Sequence, residues 1–234
     1  MQSLPETVED YYARLNFDGN RTCLFANRDK INYVYEKCRK YFKNANDACE
    51  VGVGDGYLLR RLYNSGLKVV GIDVSKFLVN RLQSQLEEEN LDIKLIRGDI
   101  STINLEADKF DLVFCLDVLE HIFYIKEAIE KIKNILKIGG LLIVTLPWKE
   151  NLDNNMVICP QCHHKFHRVG HYHSFDNIDE LKQLLGLEFE LIQCSEVRSF
   201  KKPSDIIKNL FWLIAGFRYK RRTRTIYLIA KLKK

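Results

Sequence analysis

Proline is scarce in this chain, with four in 234 residues, and no Gly/Ser-rich or low-complexity stretch divides one part from another. No internal repeat is visible. At this length, with 46% of residues hydrophobic, one domain with a sizeable core is the expectation. The first ten residues are polar and acidic and lack the apolar segment of a secretory signal, so a cytoplasmic protein is expected. Long apolar runs are missing too: the best candidate, 210–217, is well short of the roughly 18 residues a membrane-spanning helix needs. Seven cysteines without a secretory leader point to reduced thiols or metal ligands and away from a disulfide framework.

A uniform positive field is also lacking. The net charge is +5, but the excess crowds the C-terminal region at Lys201, Lys202, Lys208, Arg218, Lys220, Arg221, Arg222 and Arg224, then Lys231, Lys233 and Lys234. The remainder is close to neutral, so no DNA partner is expected.

What is present is alternation. From residue 47 onward, strand-like and helix-like segments follow one another. Strands are predicted at 48–53, 68–72, 93–96, 110–115 and 141–146, and helices at 57–64, 75–89 and 122–136. Ser75 is a plausible N-cap, Gly139-Gly140 is the predicted end of the 122–136 helix, and Pro147 the predicted stop of the 141–146 strand. Nearly continuous apolar strands alternating with helices call for a parallel sheet covered on both faces, hence a doubly wound α/β fold. A further helix at 175–185 and strands at 188–197 and 223–232 complete the pattern. Residues 1–46 precede the first core strand and look helical, with aromatic anchors such as Tyr33, Tyr35 and Phe42. They are expected to cap the site.

Glu50-Val51-Gly52-Val53-Gly54-Asp55-Gly56 lies between a strand and a helix. Glycines there permit positive φ and let backbone amides approach a ligand. A dinucleotide fingerprint needs G-x-G-x-x-G, and here the third glycine comes one residue early, with Tyr57 in its place. Carboxylates at Glu50 and Asp55 would repel a pyrophosphate and suit a sulfonium and an ammonium, which favours S-adenosylmethionine. Asp73 ends the second strand, where a carboxylate can accept both ribose hydroxyls. Asp99 and Ile100 end the third, where the adenine would be read, and Leu116 closes the fourth.

This constellation resembles the class I S-adenosylmethionine-dependent methyltransferases from about residue 48 to 147. The likeness rests on the Glu-x-Gly-x-Gly-x-Gly loop, Asp73, Asp99, Asp-Val-Leu-Glu-His at 117–121 and Leu-Lys-x-Gly-Gly-x-Leu at 136–142. It implies a Rossmann-like seven-stranded sheet in the order 3-2-1-4-5-7-6 with the last strand antiparallel. It also implies cofactor contacts at Glu50, Gly52, Gly54, Asp73, Asp99, Ile100 and Leu116.

Methyl transfer is an in-line displacement in which alignment contributes most of the rate, and a base is needed only for a hydroxyl or a protonated amine. His121, His171 and His173 are the catalytic candidates. Glu120-His121 has a plainer reading, as the ordering of a helix start, and a further one with Asp117 as a Mg²⁺ site.

After the fifth strand, Cys159-Pro160-Gln161-Cys162 is followed by His167 and His171, and five of the six histidines fall within 163–173. Two thiolates on a tight turn and two imidazoles can close a tetrahedron, so Cys159, Cys162, His167 and His171 are the expected zinc ligands. The alternative is a histidine-rich loop with two free cysteines. Four protein ligands would make the metal structural; three would leave an open position. The segment also looks like one found in some bacterial methyltransferases, which implies a small metal-stapled insert at 156–175.

Residues 199–222 read as a helical insert whose apolar stripe at 206–217 suits a core helix or dimer face. A peripheral membrane contact is the other reading. The domain organisation is thus a helical cap at 1–46 and a methyltransferase domain at 47–234, as monomer or homodimer. The favoured acceptor is a small molecule, a glycan or a lipid-linked compound. An RNA or protein acceptor docked on the insert and basic segment is the alternative, and a non-catalytic cofactor-binding module the third reading.

Overall fold

The computed structural model describes residues 21–160, 163–197 and 224–233. The predicted 199–222 insert, Cys162 and the first 20 residues lie outside these. Helix α1 spans Arg21–Cys38 and runs into a 3-10 turn at Arg39–Asn44. The core then alternates as predicted: β1 (Asp47–Val51), α2 (Tyr57–Tyr63), β2 (Lys68–Asp73), α3 (Lys76–Glu88), β3 (Lys94–Arg97), β4 (Phe110–Leu116), α4 (Ile125–Ile135) and β5 (Leu136–Trp148). A short hairpin, β6 (Met156–Ile158) and β7 (Lys165–His167), precedes α5 (Ile178–Leu185), β8 (Phe189–Glu196) and β9 (Arg224–Leu232).

The main sheet has seven strands in the order β3-β2-β1-β4-β5-β9-β8. Chain numbering departs from the expected 3-2-1-4-5-7-6 because β6 and β7 intervene and form a separate two-stranded sheet. Only β9 is reversed: it pairs antiparallel with both β5 and β8, whereas β1–β5 are mutually parallel.

The period-2 pleat sends alternate residues of β4 to opposite cores. Leu112 and Phe114 pack with Val34 of α1, Leu58 and Leu62 of α2 and Leu86 of α3. Val113 and Cys115 face Ile125, Ile129 and Ile132 of α4 and Leu181 of α5. In α4 the buried residues Ile125, Ala128, Ile129, Ile132 and Ile135 recur at helical spacing, which fixes the face turned to the sheet. Ser75 caps α3 as expected, its Oγ accepting the Leu78 N–H at 3.3 Å.

Several boundaries depart from the sequence reading. The helix expected over 122–136 begins at Ile125, because Leu119–His121 forms a separate 3-10 turn. It ends at Ile135, before the glycine pair, because Leu136 is already extended and paired with Phe110. Pro147 does not stop the strand. Pairing with β4 ends at Thr145, so the β4 side of β5 is an edge at Pro147 and the missing N–H costs little there.

The insert starts at Lys149, earlier than expected, and its ends are clasped. Trp148 and Phe175 form a parallel bridge, and the Lys149 N–H donates to Phe175 O at 3.0 Å. The Tyr172 N–H donates to Glu120 O at 2.8 Å, pinning the returning chain against the loop after β4. The insert is thereby part of the site's wall.

Candidate active site

A cavity of about 400 Å³ opens at the carboxyl ends of the parallel strands, where open α/β sheets bind ligands. All seven residues expected to hold the cofactor line it: Glu50, Gly52, Gly54, Asp73, Asp99, Ile100 and Leu116.

The glycine loop is shaped by backbone demands. Gly52 has φ +77°, its N–H donates to Ile72 O at 2.8 Å, and a Cβ there would stand 2.4 Å from Val118 Cγ2. Only glycine satisfies both conditions. The loop is tied to β2 through Asp73, which accepts the Val53 N–H at 3.0 Å and the Ser75 N–H at 2.9 Å. Burial pushes the Asp73 carboxyl up, while the amides of Ser75, Val53 and Gly54 oppose the shift.

Glu50 sits deeper. It is 4% exposed, and its Oε2 has no hydrogen-bond partner among the described residues. Burial raises its pKa well above the ordinary range, Asp55 and Asp73 add to this, and the Leu59 N–H opposes it. A buried carboxylate with an orphaned oxygen on a cavity wall is costly unless a cation or donor completes it. Asp99 is fixed by its own turn, accepting the Ser101 N–H at 2.8 Å and the Ser101 hydroxyl at 2.7 Å.

Sequence reasoning placed a helical cap over the site but named none of its cavity residues. Arg28 and Lys30 of α1 line the cavity, Arg28 pairing with Asp55 at 2.9 Å and Lys30 with Asp117. Asp117 also accepts the Thr145 hydroxyl at 2.8 Å and adopts a left-handed backbone, with φ 56°. Phe123, Tyr124 and Tyr172 add an exposed aromatic group at one wall, with rings 5.0 and 5.4 Å apart. A visible signal for the first two was an aromatic pair just before the apolar face of α4 begins.

Of the three catalytic candidates, only His121 reaches the cavity. Its Nδ1–H donates to Gly170 O at 3.2 Å, which places the ring's lone pair on Nε2. Burial and the neighbouring His171 lower its pKa to about 4, against Gly170 O and Asp117, so the ring is neutral at pH 7. His171 stands behind it, ring centroids 4.6 Å apart, and is held by Glu150. His173 donates from Nε2 to Ile122 O at 2.9 Å and does not line the cavity. His171 and His173, expected as catalytic groups, thus stand outside the lining of the cavity.

Of the expected zinc ligands, Cys159, His167 and His171 are described, and Cys162 lies outside the described residues. His167 and His171 stack with centroids 4.8 Å apart. Among the described residues their ligand atoms cluster with Glu150, and that of His171 also with Glu120 and His121; Cys159 joins neither group. Cys159 lies at the hairpin turn, exchanging backbone hydrogen bonds with His163 and His164, whereas His167 is registered opposite Met156 at the other end.

Residues 49–144 match a family model described as a methyltransferase domain. An S-adenosylmethionine-dependent methyltransferase from Clostridium acetobutylicum superposes with TM-score 0.64 at 18% identity, over 88% of this chain and 92% of its own. The chain has the Rossmann-like α/β methyltransferase fold. The 1,6-didemethyltoxoflavin-N1-methyltransferase of Burkholderia thailandensis, solved with 1,6-didemethyltoxoflavin and S-adenosylhomocysteine, superposes with TM-score 0.68 at 13% identity, over 97% of this chain and 88% of its own. Among curated proteins, the ubiquinone biosynthesis O-methyltransferase of Rickettsia bellii is 27% identical over 119 residues, 50% of this chain and 49% of the relative. The chain thus spans about half the length of the curated relatives it matches. Within the methyltransferase fold, every residue of the glycine loop and its acidic partners falls inside the matched segment. The insert and α1 fall outside it.

Proposed function

We propose that this chain is an S-adenosylmethionine-dependent methyltransferase acting on a small-molecule, glycan or lipid-linked acceptor. The observation that carries the reading is the buried Glu50 Oε2, left without a partner beside Asp73 on the cavity wall. Such a site fits a cationic ligand and repels a pyrophosphate. Glu50 and the loop amides would hold the amino acid end, Asp73 the ribose, and Asp99 with Ile100 the adenine. When bound, the cofactor supplies an activated methyl group on a sulfonium.

The chain's own contribution is positioning. Asp117, fixed by Thr145 and Lys30, and the neutral His121 Nε2 border the part of the cavity bounded by Phe123, Tyr124 and Tyr172. There, with no metal on it, the His121 Nε2 can take the proton of an acceptor hydroxyl as the methyl bond forms. With its pKa lowered to about 4 it is a weak base, contributing at or below the lower end of the about 10²–10⁴-fold that tuned bases give. The aromatic wall gives an apolar or planar acceptor a surface to lie on and excludes water.

The test has two parts. Calorimetry should show binding of S-adenosylmethionine and S-adenosylhomocysteine and none of nicotinamide nucleotides; the reverse result overturns the cofactor reading. Incubation with methyl-labelled cofactor and a host extract should then label a small or lipid-extractable compound. Label confined to RNA or protein would overturn the acceptor class while leaving the cofactor in place.

A further inference from the structure

Behind the cavity, five titratable side chains gather where the insert meets the loop after β4: Glu120, His121, Glu150, His167 and His171. The ligand atoms of Glu120, His121 and His171 lie within 4.8 Å of one another, as do those of Glu150, His167 and His171. His171 cannot serve both groups, and the hydrogen bonds decide between them.

His121 donates from Nδ1 to Gly170 O, and His171 donates from Nδ1 to Glu150 Oε2 at 2.5 Å. Each bond places the lone pair of its ring on Nε2. His167 is set the opposite way. Its Nδ1 accepts the His171 backbone N–H at 3.0 Å, so its proton sits on Nε2, which faces Glu150 Oε1 at 3.9 Å. A protonated nitrogen is no ligand, and His167 serves to support Glu150. Glu150 is itself enclosed, its side chain 6% exposed, with His167 and His171 against its two oxygens.

A second observation points to the same place. Glu120 is 1% exposed, and its Oε2 has no hydrogen-bond partner among the described residues. A carboxylate buried this completely calls for a compensating charge or donor.

We propose that Glu120, His121 Nε2 and His171 Nε2 bind one divalent transition-metal ion, zinc being the ion class suited to one carboxylate and two imidazoles. Glu150 acts as the positioning residue that holds His171 in its ligating tautomer. The insert then contributes a ligand just behind the cavity wall that His121 forms, and its Cys159 is not part of this site. Three protein ligands leave a coordination position open, as in catalytic zinc centres. If the methyltransferase reading holds, an acceptor hydroxyl bound there would become more acidic, and the ion would replace His121, whose Nε2 is then a ligand, as the group that activates it. Metal binding itself does not depend on that reading.

The experiment uses the full-length chain, stripped with chelator and titrated with Zn²⁺ by calorimetry and with Co²⁺ by absorption spectroscopy. One ion per chain is expected, with cobalt d–d bands and no thiolate-to-cobalt charge-transfer band. Glu120→Gln and His171→Asn should each weaken binding at least about 100-fold, and Glu150→Gln about 10–100-fold, the usual loss for an outer-shell partner. A Cys159→Ser/Cys162→Ser double variant should bind as the parent does. Charge-transfer absorbance lost in that cysteine variant, or undiminished affinity in the isosteric Glu120→Gln, would overturn the proposal. Circular dichroism and S-adenosylmethionine affinity, measured on the same variants, separate a failed fold and a failed cofactor reading from a failed metal site.

Discussion

Replacing Glu50 by Gln should make the ligand-free protein more stable and its cofactor binding worse. Gln keeps the shape and retains a carbonyl oxygen to accept the Leu59 N–H that Glu50 now receives. What it removes is charge. Burial, then Asp55 and Asp73, raise the Glu50 pKa well above its ordinary 4.5, so the folded state releases this proton less readily than the unfolded chain. A raised carboxyl leaves stability intact below the unfolded value and withdraws it as pH rises toward the folded value. Above 4.5 the withdrawal grows by roughly 1.36 kcal/mol per pH unit until the raised folded value is reached, a few kcal/mol at most by pH 7. The amide's own unsatisfied N–H group takes back about 1–3 kcal/mol, so a net gain on the order of 1 kcal/mol is expected at pH 7. Near pH 4, where wild-type Glu50 is protonated in both states, the charge cost is gone and the Gln variant should be the less stable one, by the amide penalty of about 1–3 kcal/mol. Loss of a charge-assisted contact to the ligand's ammonium should weaken S-adenosylmethionine binding by about 1.5–3 kcal/mol, roughly 10- to 150-fold. Urea denaturation at pH 4 and pH 7 and calorimetry with the cofactor read the two effects. A Gln variant that is less stable at pH 7 yet binds the cofactor as tightly as wild type would refute the reasoning.

The other predictions concern the loop, the cap and the base of the sheet. Gly52→Ala combines a positive-φ penalty of about 1–2 kcal/mol with a clash on Val118, so a loss of about 2–4 kcal/mol is expected. A second change, Val118→Ala, should return only the clash component, and full recovery of stability would show that φ strain is negligible. Lys30→Met removes the ion pair that ties α1 to Asp117, and cofactor dissociation measured by stopped flow should quicken about 3- to 10-fold. An unchanged rate would mean that α1 does not gate the site. At the base of the sheet, burial alone would raise the Asp111 carboxyl, but the amides of Asn46 and Asp47 and the Lys137 ammonium outweigh it and hold it below its ordinary 3.8. Its stabilisation is present above that value and fades as pH falls through the lower folded one. Asp111→Asn should therefore cost on the order of 1 kcal/mol at pH 7 and almost nothing near pH 2, and a pH-independent difference in urea midpoint would contradict this.

The amino-acid sequence by itself determined the alternation of β1 through β5, the helix cap at Ser75 and seven of the residues that line the cavity. These rest on short-range physics. A pleat alternates every two residues, a helix face recurs every three or four, and a glycine loop joins a strand to the helix directly after it. The tertiary structure decided what depends on partners far along the chain. Leu136 fits the helical period of α4, yet pairing with Phe110 draws it into β5. Arg28 and Lys30 carry no local mark of a cavity role, and only the docking of α1 brings them to Asp55 and Asp117. The histidines show the division most clearly. Their crowding in the sequence announced a cluster, but an imidazole takes its tautomer from whichever group it meets. Those groups are Gly170 for His121, 49 residues away, and Glu150 for His171, 21 residues away. No spacing rule along the chain encodes such meetings; they exist only once the insert has folded back onto the loop after β4.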